Sequence, residues 1–375
     1  MKFSIEREAL VKPLSLVAGV VERRQTLPIL ANVLVSVEGS QLSLVGTDLE
    51  VELTGRVSLE DPDSVSGSVT VPGRKLFDIC KSLPEGSVIE LVQDGAKLVV
   101  KSGRSRFSLA TLPATEFPLV DSLNVRGSMT VDQQALKALI EQTAFAMAQQ
   151  DVRYYLNGML WELSSGEFRV VATDGHRLAT SHIALSGGVV QGLAGPDATQ
   201  IILPRKGVLE LSRLLHPGGA PAEVSLGDNH LKVDTASFTF ISKLVDGKFP
   251  DYQRVLPKNS TKTVVGERDV LKSALSRAAI LSNEKYRGIR LHLSNDQVQV
   301  VANNPEQEEA EEIVSVEYQG ESLEIGFNVS YLLDVLGVIH EDNVKISLSD
   351  PSGSALLEAA AEHANAMYVV MPMRL

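Results

Sequence analysis

Hydrophobic and polar positions along the chain follow the same order three times, at intervals close to one third of its 375 residues. Each copy opens with a short alternating segment, typical of a strand, and continues with apolar residues spaced i, i+4, i+7, which share one face of a helix. These segments are residues 3–21, 129–147 and 263–281. Their apolar helical positions are Leu10, Leu14 and Val17, then Leu136, Ile140 and Thr143, then Leu271, Leu275 and Ala278.

A strand that runs into a turn recurs later in each copy, at residues 42–48, 168–174 and 298–304, and a second helix follows. The apolar positions of the second helices are Leu76, Ile79 and Leu83, then Val208, Leu211 and Leu215, then Leu332, Val335 and Ile339, all at i, i+3, i+7. Leu10 and Leu136 are 126 residues apart, as are Asp48 and Asp174, so the register is kept between copies. A period this long indicates repeated domains and not a solenoid.

Short strands with frequent turn residues fill the rest of each copy. Asp94 and Gly95, for example, separate two apolar runs and predict a hairpin. We therefore expect an α+β fold of three repeated domains, each with two helices packed on antiparallel sheet. The expected domains are 1–126, 127–261 and 262–375, with an additional mobile Gly-rich loop at residues 185–199.

Composition fits this division, since 44% hydrophobic and 22% charged residues describe an ordinary globular protein. No run approaches the roughly 18 consecutive apolar residues of a membrane span, and the start has no apolar signal core. We therefore expect a cytoplasmic protein with no membrane partner. The single cysteine, Cys80, cannot form an internal disulfide and is expected to be buried as a small hydrophobic residue.

The charge distribution changes what the net charge of −12 suggests. A negative chain argues against a nucleic-acid partner, but Lys and Arg gather on or beside the predicted helices and acids gather elsewhere. If the helices share one side, that side is positive. Solvated helix faces are the alternative for any single residue, and the last helix, 328–339, carries no Lys or Arg. The basic residues are Arg7, Lys12, Arg23, Arg24, Arg74, Lys75, Lys81, Arg205, Lys206, Arg213, Arg268, Lys272 and Arg277.

Sequence motifs for catalysis are absent: there is no Walker loop, no dinucleotide fingerprint, no nucleophile elbow and no His pair at metal-ligand spacing. We expect no catalytic residue, no metal and no cofactor. Asp174 and His176 raise the alternative of an acid–base enzyme, which predicts loss of turnover in His176→Ala. A hairpin turn with a surface His is preferred, because residues two apart in a tight turn seldom point at one substrate atom.

Long segments across the whole chain carry a family resemblance: residues 1–3 with 6–8, 26–30, 103–108, 150–159, 173–178, 243–247 with 249–252, 303–312 and 368–375. The chain resembles the bacterial DNA polymerase III beta subunits, the sliding clamps of replication. The resemblance implies a homodimer closed head to tail into a ring of six domains, with helices around the hole and sheets outside. A basic hole in an acidic body would reconcile the net charge with DNA binding.

The resemblance also implies contacts to double-stranded DNA without sequence specificity, because phosphate contacts carry no sequence information. The residues it nominates for DNA are Arg24, Arg74, Gln150, Tyr154, Tyr155, Arg205 and Lys206. Gln149 stands where the family often has His, so a contact there would be polar and uncharged.

A second site implied by the resemblance is a peptide pocket between the second and third domains. There the polymerase III alpha subunit, the clamp loader, other polymerases and repair proteins would take turns through short clamp-binding peptides. Its apolar floor would be Leu156, Leu178, Pro250, Val255, Val369, Val370 and Met371. Its walls would be Arg153, Thr173, Gly175, His176, Arg177, Arg254, Tyr331, Ser354 and Met373.

The head-to-tail interface would combine charged and apolar residues. Basic residues of the first domain would face an acidic run on the partner's third domain, and two apolar residues after the third domain's first helix would supply the main stability. The basic residues are Lys75, Arg104 and Arg106, the acidic ones Glu306, Glu308, Glu309, Glu311 and Glu312, and the apolar ones Ile280 and Leu281. We interpret the chain as a non-catalytic processivity factor. The other alternative is a monomeric peptide-binding scaffold without a DNA function, which would leave the basic helices without a partner.

Charged substitution of Ile280 or Leu281 is expected to give monomers, because the apolar contact should dominate the stability of the interface. Sedimentation measures this directly. A doubly substituted protein that still sediments as a dimer would exclude these two residues from the interface.

Overall fold

The computed structural model describes residues 1–21, 27–120, 123–164, 166–185, 199–258 and 260–374. Arg23, Arg24 and most of the predicted 185–199 loop lie outside the described residues. Helices α1 to α6 span Arg7–Val20, Gly73–Ser82, Gln133–Thr143, Arg205–Leu214, Arg268–Ala278 and Val329–Val338. Short 3₁₀ turns span Pro28–Ala31, Ala114–Glu116, Ala144–Ala146, Tyr154–Leu156, Tyr252–Arg254 and Ala279–Leu281.

The strands are short and numerous. Strands β1 to β12 span Lys2–Glu6, Asn32–Glu38, Gln41–Thr47, Val51–Ser58, Gly67–Pro72, Val88–Asp94, Lys97–Ser102, Ser105–Ala110, Gly127–Val131, Gly158–Ser164, Glu167–Thr173 and Arg177–Ala184. Strands β13 to β24 span Thr199–Pro204, Ala222–Leu226, His230–Asp234, Phe238–Lys243, Lys262–Glu267, Gly288–Ser294, Gln297–Asn303, Glu309–Ser315, Leu323–Asn328, Asn343–Leu348, Ala355–Ala359 and Ala366–Val370. The predicted order of strand, helix, strands, helix, strands is confirmed in each copy.

The helical periodicity identified the buried faces. All nine apolar positions predicted for α1, α3 and α5 are buried, including Thr143, whose hydroxyl donates to the Leu139 carbonyl at 2.7 Å. On α2, Leu76 and Leu83 are buried and Ile79 is half-buried, and Cys80 is fully buried as predicted. Burial raises the pKa of the Cys80 thiol to about 12, so this cysteine is an unreactive core residue as expected.

The first residue of each opening helix ties down the end of the second helix of the same copy. Arg7 donates from Nη2 to the Lys81 carbonyl at 2.8 Å, and Arg268 donates from Nη1 to the Ile339 carbonyl at 3.0 Å. Gln133 takes this position in the middle copy and donates to the Ala220 carbonyl at 2.6 Å. These side chains satisfy carbonyls at or just beyond a helix end. Arg7 and Arg268 therefore serve the fold and contribute little to a positive surface.

Two compact units make up the described chain, and their boundary falls inside the middle copy. Unit 1 contains Met1–Gln134 and Leu209–Leu244, and unit 2 contains the described part of 135–208 with Val245–Leu375. In unit 1 an eight-stranded sheet has the order β5-β2-β3-β4-β16-β15-β14-β9, beside a four-stranded sheet β1-β6-β7-β8. In unit 2 the corresponding orders are β13-β10-β11-β12-β24-β23-β22-β17 and β20-β19-β18-β21. Every strand pair named in the described residues is antiparallel, as predicted.

Each eight-stranded sheet joins strands of two successive copies. In unit 1 the junction is between β4 of the first copy and β16 of the second, with Leu53 opposite Phe240. In unit 2 it is between β12 of the second copy and β24 of the third, with Leu178 opposite Val369. The four-stranded sheets hold the remaining strands of the first and third copies, and β8 and β20 lie at their edges.

Close approach between α1 and its sheet explains two glycines in unit 1. A Cβ on Gly55 of β4 would lie 2.9 Å from the Pro13 side chain, and one on Gly46 of β3 would lie 2.8 Å from the Val17 side chain. Only glycine therefore lets the helix pack this close. None of the helices among the described residues is long and apolar enough to cross a membrane.

Candidate functional site

A mostly apolar groove of about 170 Å³ lies in unit 2, where the junction between β12 and β24 meets the chain segment before β17. It is lined by Arg153, Tyr155, Leu156, Thr173, Gly175, Arg177, Leu178, Phe249, Pro250, Tyr252, Val255, Val369 and Met371. These residues come from segments more than two hundred positions apart, so only the fold brings them together.

The turn between β11 and β12 forms one end of the groove. Asp174 Oδ1 accepts the backbone N–H groups of His176 and Arg177 at 2.9 and 3.0 Å, and Thr173 Oγ1 donates to the Arg177 carbonyl at 2.6 Å. Gly175 has φ +89°, a conformation that favours glycine. These local bonds make the turn rigid, and a rigid turn can hold recognition groups in place.

The floor of the groove is the junction between the two copies. Leu178 and Val369 are opposite each other, are 2% and 1% exposed, and pack with Leu160, Val171 and Ile202. Beyond β24, the Met371 N–H donates to the His176 carbonyl at 2.9 Å, which places the 39% exposed Met371 side chain at the rim. The floor is therefore fixed, whereas the rim offers an accessible apolar side chain.

Phe249 and Tyr252 hold the segment that forms the opposite wall. Both are 5% exposed, and the Tyr252 hydroxyl donates to Glu162 Oε1 at 2.9 Å. Burial, together with this carboxylate, raises the pKa of Tyr252 to about 12, so the phenol stays a neutral donor at physiological pH. The bond anchors the wall to β10 and leaves Pro250 and Val255 facing the groove.

Arg177 is an ordered part of the wall. Its guanidinium donates to Asp174 Oδ2 at 3.1 Å, to the Phe145 carbonyl at 2.9 Å and to Asp334, and it stacks 4.5 Å above the Tyr331 ring. The side chain is only 12% exposed. Two carboxylates share the charge of this guanidinium, and its fixed position means that it loses no rotamer freedom when a ligand binds.

Arg153 supplies a second cation beside the Gly175 turn. It makes a bidentate pair with Asp151, with Nε and Nη2 at 3.0 and 2.9 Å from the two oxygens, and it also donates to the Asp174 carbonyl. The Arg153 hydrogen bonds lower the pKa of Asp151 to about 2, so the pair stays charged well below neutral pH. An apolar floor between two held arginines suits an extended peptide with apolar side chains and a polar end.

The structure brings together most of the predicted pocket residues. Those that line the groove are Arg153, Leu156, Thr173, Gly175, Arg177, Leu178, Pro250, Val255, Val369 and Met371. Those that lie outside the lining set are His176, Arg254, Tyr331, Ser354, Val370 and Met373. Val370 is fully buried, and Arg254 is 85% exposed and pairs with Asp251 at 2.8 Å. Tyr331 does not line the groove, but its ring lies beneath the Arg177 guanidinium.

Three lining residues were not predicted for this site. Tyr155 was assigned to DNA contact, and Phe249 and Tyr252 were not selected. A signal for Phe249 was available, since Phe249-Pro250 repeats Phe117-Pro118 of the first copy. The hydrogen bond from Tyr252 to Glu162 joins residues 90 positions apart, and no local sequence pattern predicts it.

The enzyme alternative is not supported by the geometry of Asp174. Its carboxylate oxygens accept from the Arg177 guanidinium and from the N–H groups of the turn, while His176 is exposed with its ring 6.5 Å from that of Tyr331. The preferred interpretation, a hairpin turn with a surface His, fits this arrangement. Among the described residues no group of three or more His, Cys, Asp or Glu could hold a metal ion.

The residues nominated for DNA contact are distributed over both units. Arg74 on α2 and Gln150 are exposed, Gln150 has φ +55°, and Tyr154 is 58% exposed. Arg205 is half-buried at the start of α4 and donates to the Met147 carbonyl at 3.4 Å. Arg24 lies outside the described residues, and Lys206 is half-buried with a partner of its own.

The residues nominated for the interface lie on exposed surfaces of each unit. Ile280 is 76% exposed and Leu281 is half-buried; Ile313, which was not predicted, is 60% exposed on the edge strand β20. Lys75, Arg104, Arg106, Glu306, Glu308, Glu309 and Glu311 are all exposed. Glu312 instead pairs within the chain with Arg277, at 2.6 and 2.7 Å.

Comparisons with known proteins agree along the whole chain. Sequence models of the DNA polymerase III beta subunit match its N-terminal domain at residues 1–121, central domain at 130–251 and C-terminal domain at 253–374. The chain is 60% identical to the beta sliding clamp of Pseudomonas putida and 52% identical to that of Escherichia coli K12, over 100% of each chain. It also matches a solved sliding clamp of Pseudomonas aeruginosa bound to griselimycin, with a TM-score of 0.96 at 59% identity over 100% of both chains.

Proposed function

The chain belongs to the family of DNA polymerase III beta subunits, and from that premise we propose that two copies close head to tail into a ring around duplex DNA. Its function is that of a DNA sliding clamp, which confers processivity on a polymerase and is not the catalytic subunit. The proposed domains are 1–126, 127–261 and 262–375, and the proposed location is the cytoplasm, at the replication fork.

The two four-stranded sheets carry the proposal of a ring. Each eight-stranded sheet joins a first half from one copy to a second half from the next, through β4 with β16 or β12 with β24. The four-stranded sheets are the two halves left over: β21-β18-β19-β20 matches the first half, and β8-β7-β6-β1 matches the second. Joining β20 of one protomer to β8 of its partner completes the same eight-stranded order. Because β8 and β20 are at opposite ends of the repeat order, the contact is head to tail. The dimeric ring of the family then requires it to close after two protomers.

The repeat also predicts the register of this contact. Phe240 lies between Val233 and Leu53, and Tyr368 lies between Leu357 and Ala179. In unit 1, Phe107 of β8 pairs with Val100 of β7, in the same way that Phe240 pairs with Val233 and Tyr368 pairs with Leu357. The equivalent of Leu53 and Ala179 on β20 is Ala310, which pairs with Ala302. We therefore place Phe107 opposite the partner's Ala310, and Arg106 opposite the partner's Glu311.

Phosphate contact explains why DNA binding needs no base recognition. The proposed contacts are Arg24, Arg74, Gln150, Tyr154, Tyr155, Arg205 and Lys206. Lysine, arginine and polar side chains bind the DNA backbone without reading sequence. A ring held by topology can therefore slide while the contacts exchange.

The groove in unit 2 supplies the second half of the function. We propose that the polymerase III alpha subunit, the clamp loader, other polymerases and repair proteins each place a short peptide against Leu178, Val369 and Met371. Apolar side chains of the peptide would fill the floor, and Arg153 and Arg177 would orient its polar groups. Sharing one groove lets partners replace one another on the same ring.

Charge reversal tests the proposed register of the interface. Arg106→Glu alone and Glu311→Arg alone should each weaken dimer formation, about fivefold or more, because like charges then stand opposite each other in both interfaces of the ring. The two changes together should restore the dimer. Sedimentation at low and high protein concentration gives the dissociation constant.

Arg104→Glu combined with Glu311→Arg is the matched control, since Arg104 lies two residues from the proposed pair. Rescue by this control as complete as by the Arg106 pair would show a general charge effect and would contradict the register.

Closing the groove should separate ring formation from polymerase tethering. Met371→Arg places a charge at the apolar rim, so peptide binding should fail while the dimer persists. In primer extension on a long single-stranded template with the clamp loader, product length per binding event should fall to the value without clamp. Val65→Arg changes an apolar residue of similar exposure in unit 1 and should keep full product length. Full-length products from Met371→Arg would contradict the assignment of the groove.

A further inference from the structure

A second groove, of about 380 Å³, lies entirely in unit 1 and is built like the groove in unit 2. The turn between β3 and β4 forms one side, as the turn between β11 and β12 does in unit 2. The segment after Phe117 forms another side, and Phe117-Pro118 repeats Phe249-Pro250. The groove is lined by Thr47, Leu49, Pro118, Leu119, Val120, Leu123, Asn124, Asp228, Asn229, His230 and Lys243.

The supporting core is equivalent in the two units. Phe117 packs with Leu34 and Val45, and the residues 126 positions later, Leu160 and Val171, pack with Phe249. In both units, therefore, the same core contacts hold the turn and the linker segment that form the two sides of the groove.

Leu49 is the feature of this groove that the fold does not explain. It has φ +76°, a left-handed conformation, at the position where unit 2 has Gly175 with φ +89°. Glycine adopts this conformation without strain, whereas a leucine there is strained. The Leu49 side chain is nevertheless 40% exposed, so it gains little burial in return. A strained, exposed apolar side chain at a groove mouth points to a contact outside the chain.

The floor differs in chemistry from that of unit 2. Glu52 stands where unit 2 has Leu178, and its Oε2 accepts the Val120 N–H at 2.8 Å. This bond fixes the linker wall and removes the deep apolar floor that Leu178 and Val369 make in unit 2. The floor of the first groove is therefore polar, which suits a ligand whose apolar side chains lie across the mouth.

Charges at the mouth indicate the polarity of that ligand. Asp228 is paired with Arg126, so its charge is neutralised. Lys243 is exposed and makes no ion pair with the residues that the structure describes. Lys243 therefore offers a positive charge at the mouth, beside the apolar Leu49 and Leu119, which are 40% and 52% exposed.

We propose that the groove of unit 1 docks an extended peptide segment of a partner protein that carries two adjacent aliphatic side chains beside an acidic one. The aliphatic pair covers Leu49 and Leu119, and the carboxylate pairs with Lys243. This site is additional to the groove of unit 2 and does not depend on the ring.

The test uses the full chain with Met371→Arg, which closes the groove of unit 2, and no DNA. The probe is a fluorescein-labelled peptide of sequence Ser-Leu-Leu-Asp-Asp-Ser, followed by fluorescence anisotropy, with Asn in place of both Asp as the control peptide. We expect saturable binding of the Asp peptide. Leu49→Gly should weaken it about tenfold, the effect of losing one well-packed aliphatic contact, without lowering Tm, because glycine relieves the strain. Lys243→Gln should weaken the Asp peptide about threefold and leave the Asn peptide unchanged.

Several results would overturn the proposal. One is equal binding of the Asp and Asn peptides, and another is binding unaffected by Leu49→Gly. A lower Tm for Leu49→Gly would make Leu49 a packing residue instead of a docking residue. If Leu49→Gly changed sedimentation but not peptide binding, the occupant would be a second copy of the chain. None of these readouts involves polymerase or DNA, so failure here is distinct from failure of the proposed clamp function.

Discussion

Antiparallel pairing between strands of successive copies is the constraint on which the rest of the structure depends. A half-sheet of four strands leaves one row of N–H and C=O groups open at β4, β12 or β20, and each open row needs a partner. The next copy supplies it twice within the chain, at β16 and β24. The open row at β20 and the open row at β8 lie at the edges of the two four-stranded sheets, where no further strand pairs with them. The proposed ring follows if β20 of one protomer pairs with β8 of the other.

The same junctions create the grooves. Where β12 meets β24, the turn before β12 and the linker after Phe249 face each other, and Leu178 opposite Val369 becomes the floor. Where β4 meets β16, an equivalent turn and linker meet, but Glu52 occupies the floor and bonds the linker. Glu52 in place of Leu178 therefore gives the first groove a polar floor where the second has an apolar one.

Much of the fold could be predicted from periodicity, and the reason is physical. A helix buries one face, so the local spacing of apolar residues around Leu10, Leu136 and Leu271 was enough to predict the three helices and their buried sides. The exchange of half-sheets between copies could not be predicted that way, because strands of five to eight residues do not encode their partners. The same limit applies to the site. Thr173 to Leu178 was recognisable as a motif, while the anchor of Tyr252 on Glu162 depends on tertiary contact.

The most direct test of the central claim is retention on DNA. The protein is loaded by its clamp loader and ATP onto nicked circular DNA, the circle is linearised, and bound protein is followed through a sizing column at high salt. A topologically closed ring predicts retention on circles, loss from linear ends and little dependence on salt, since linkage does not rely on phosphate contacts. Equal retention on circular and linear DNA, or loss from both as salt rises, would contradict the ring.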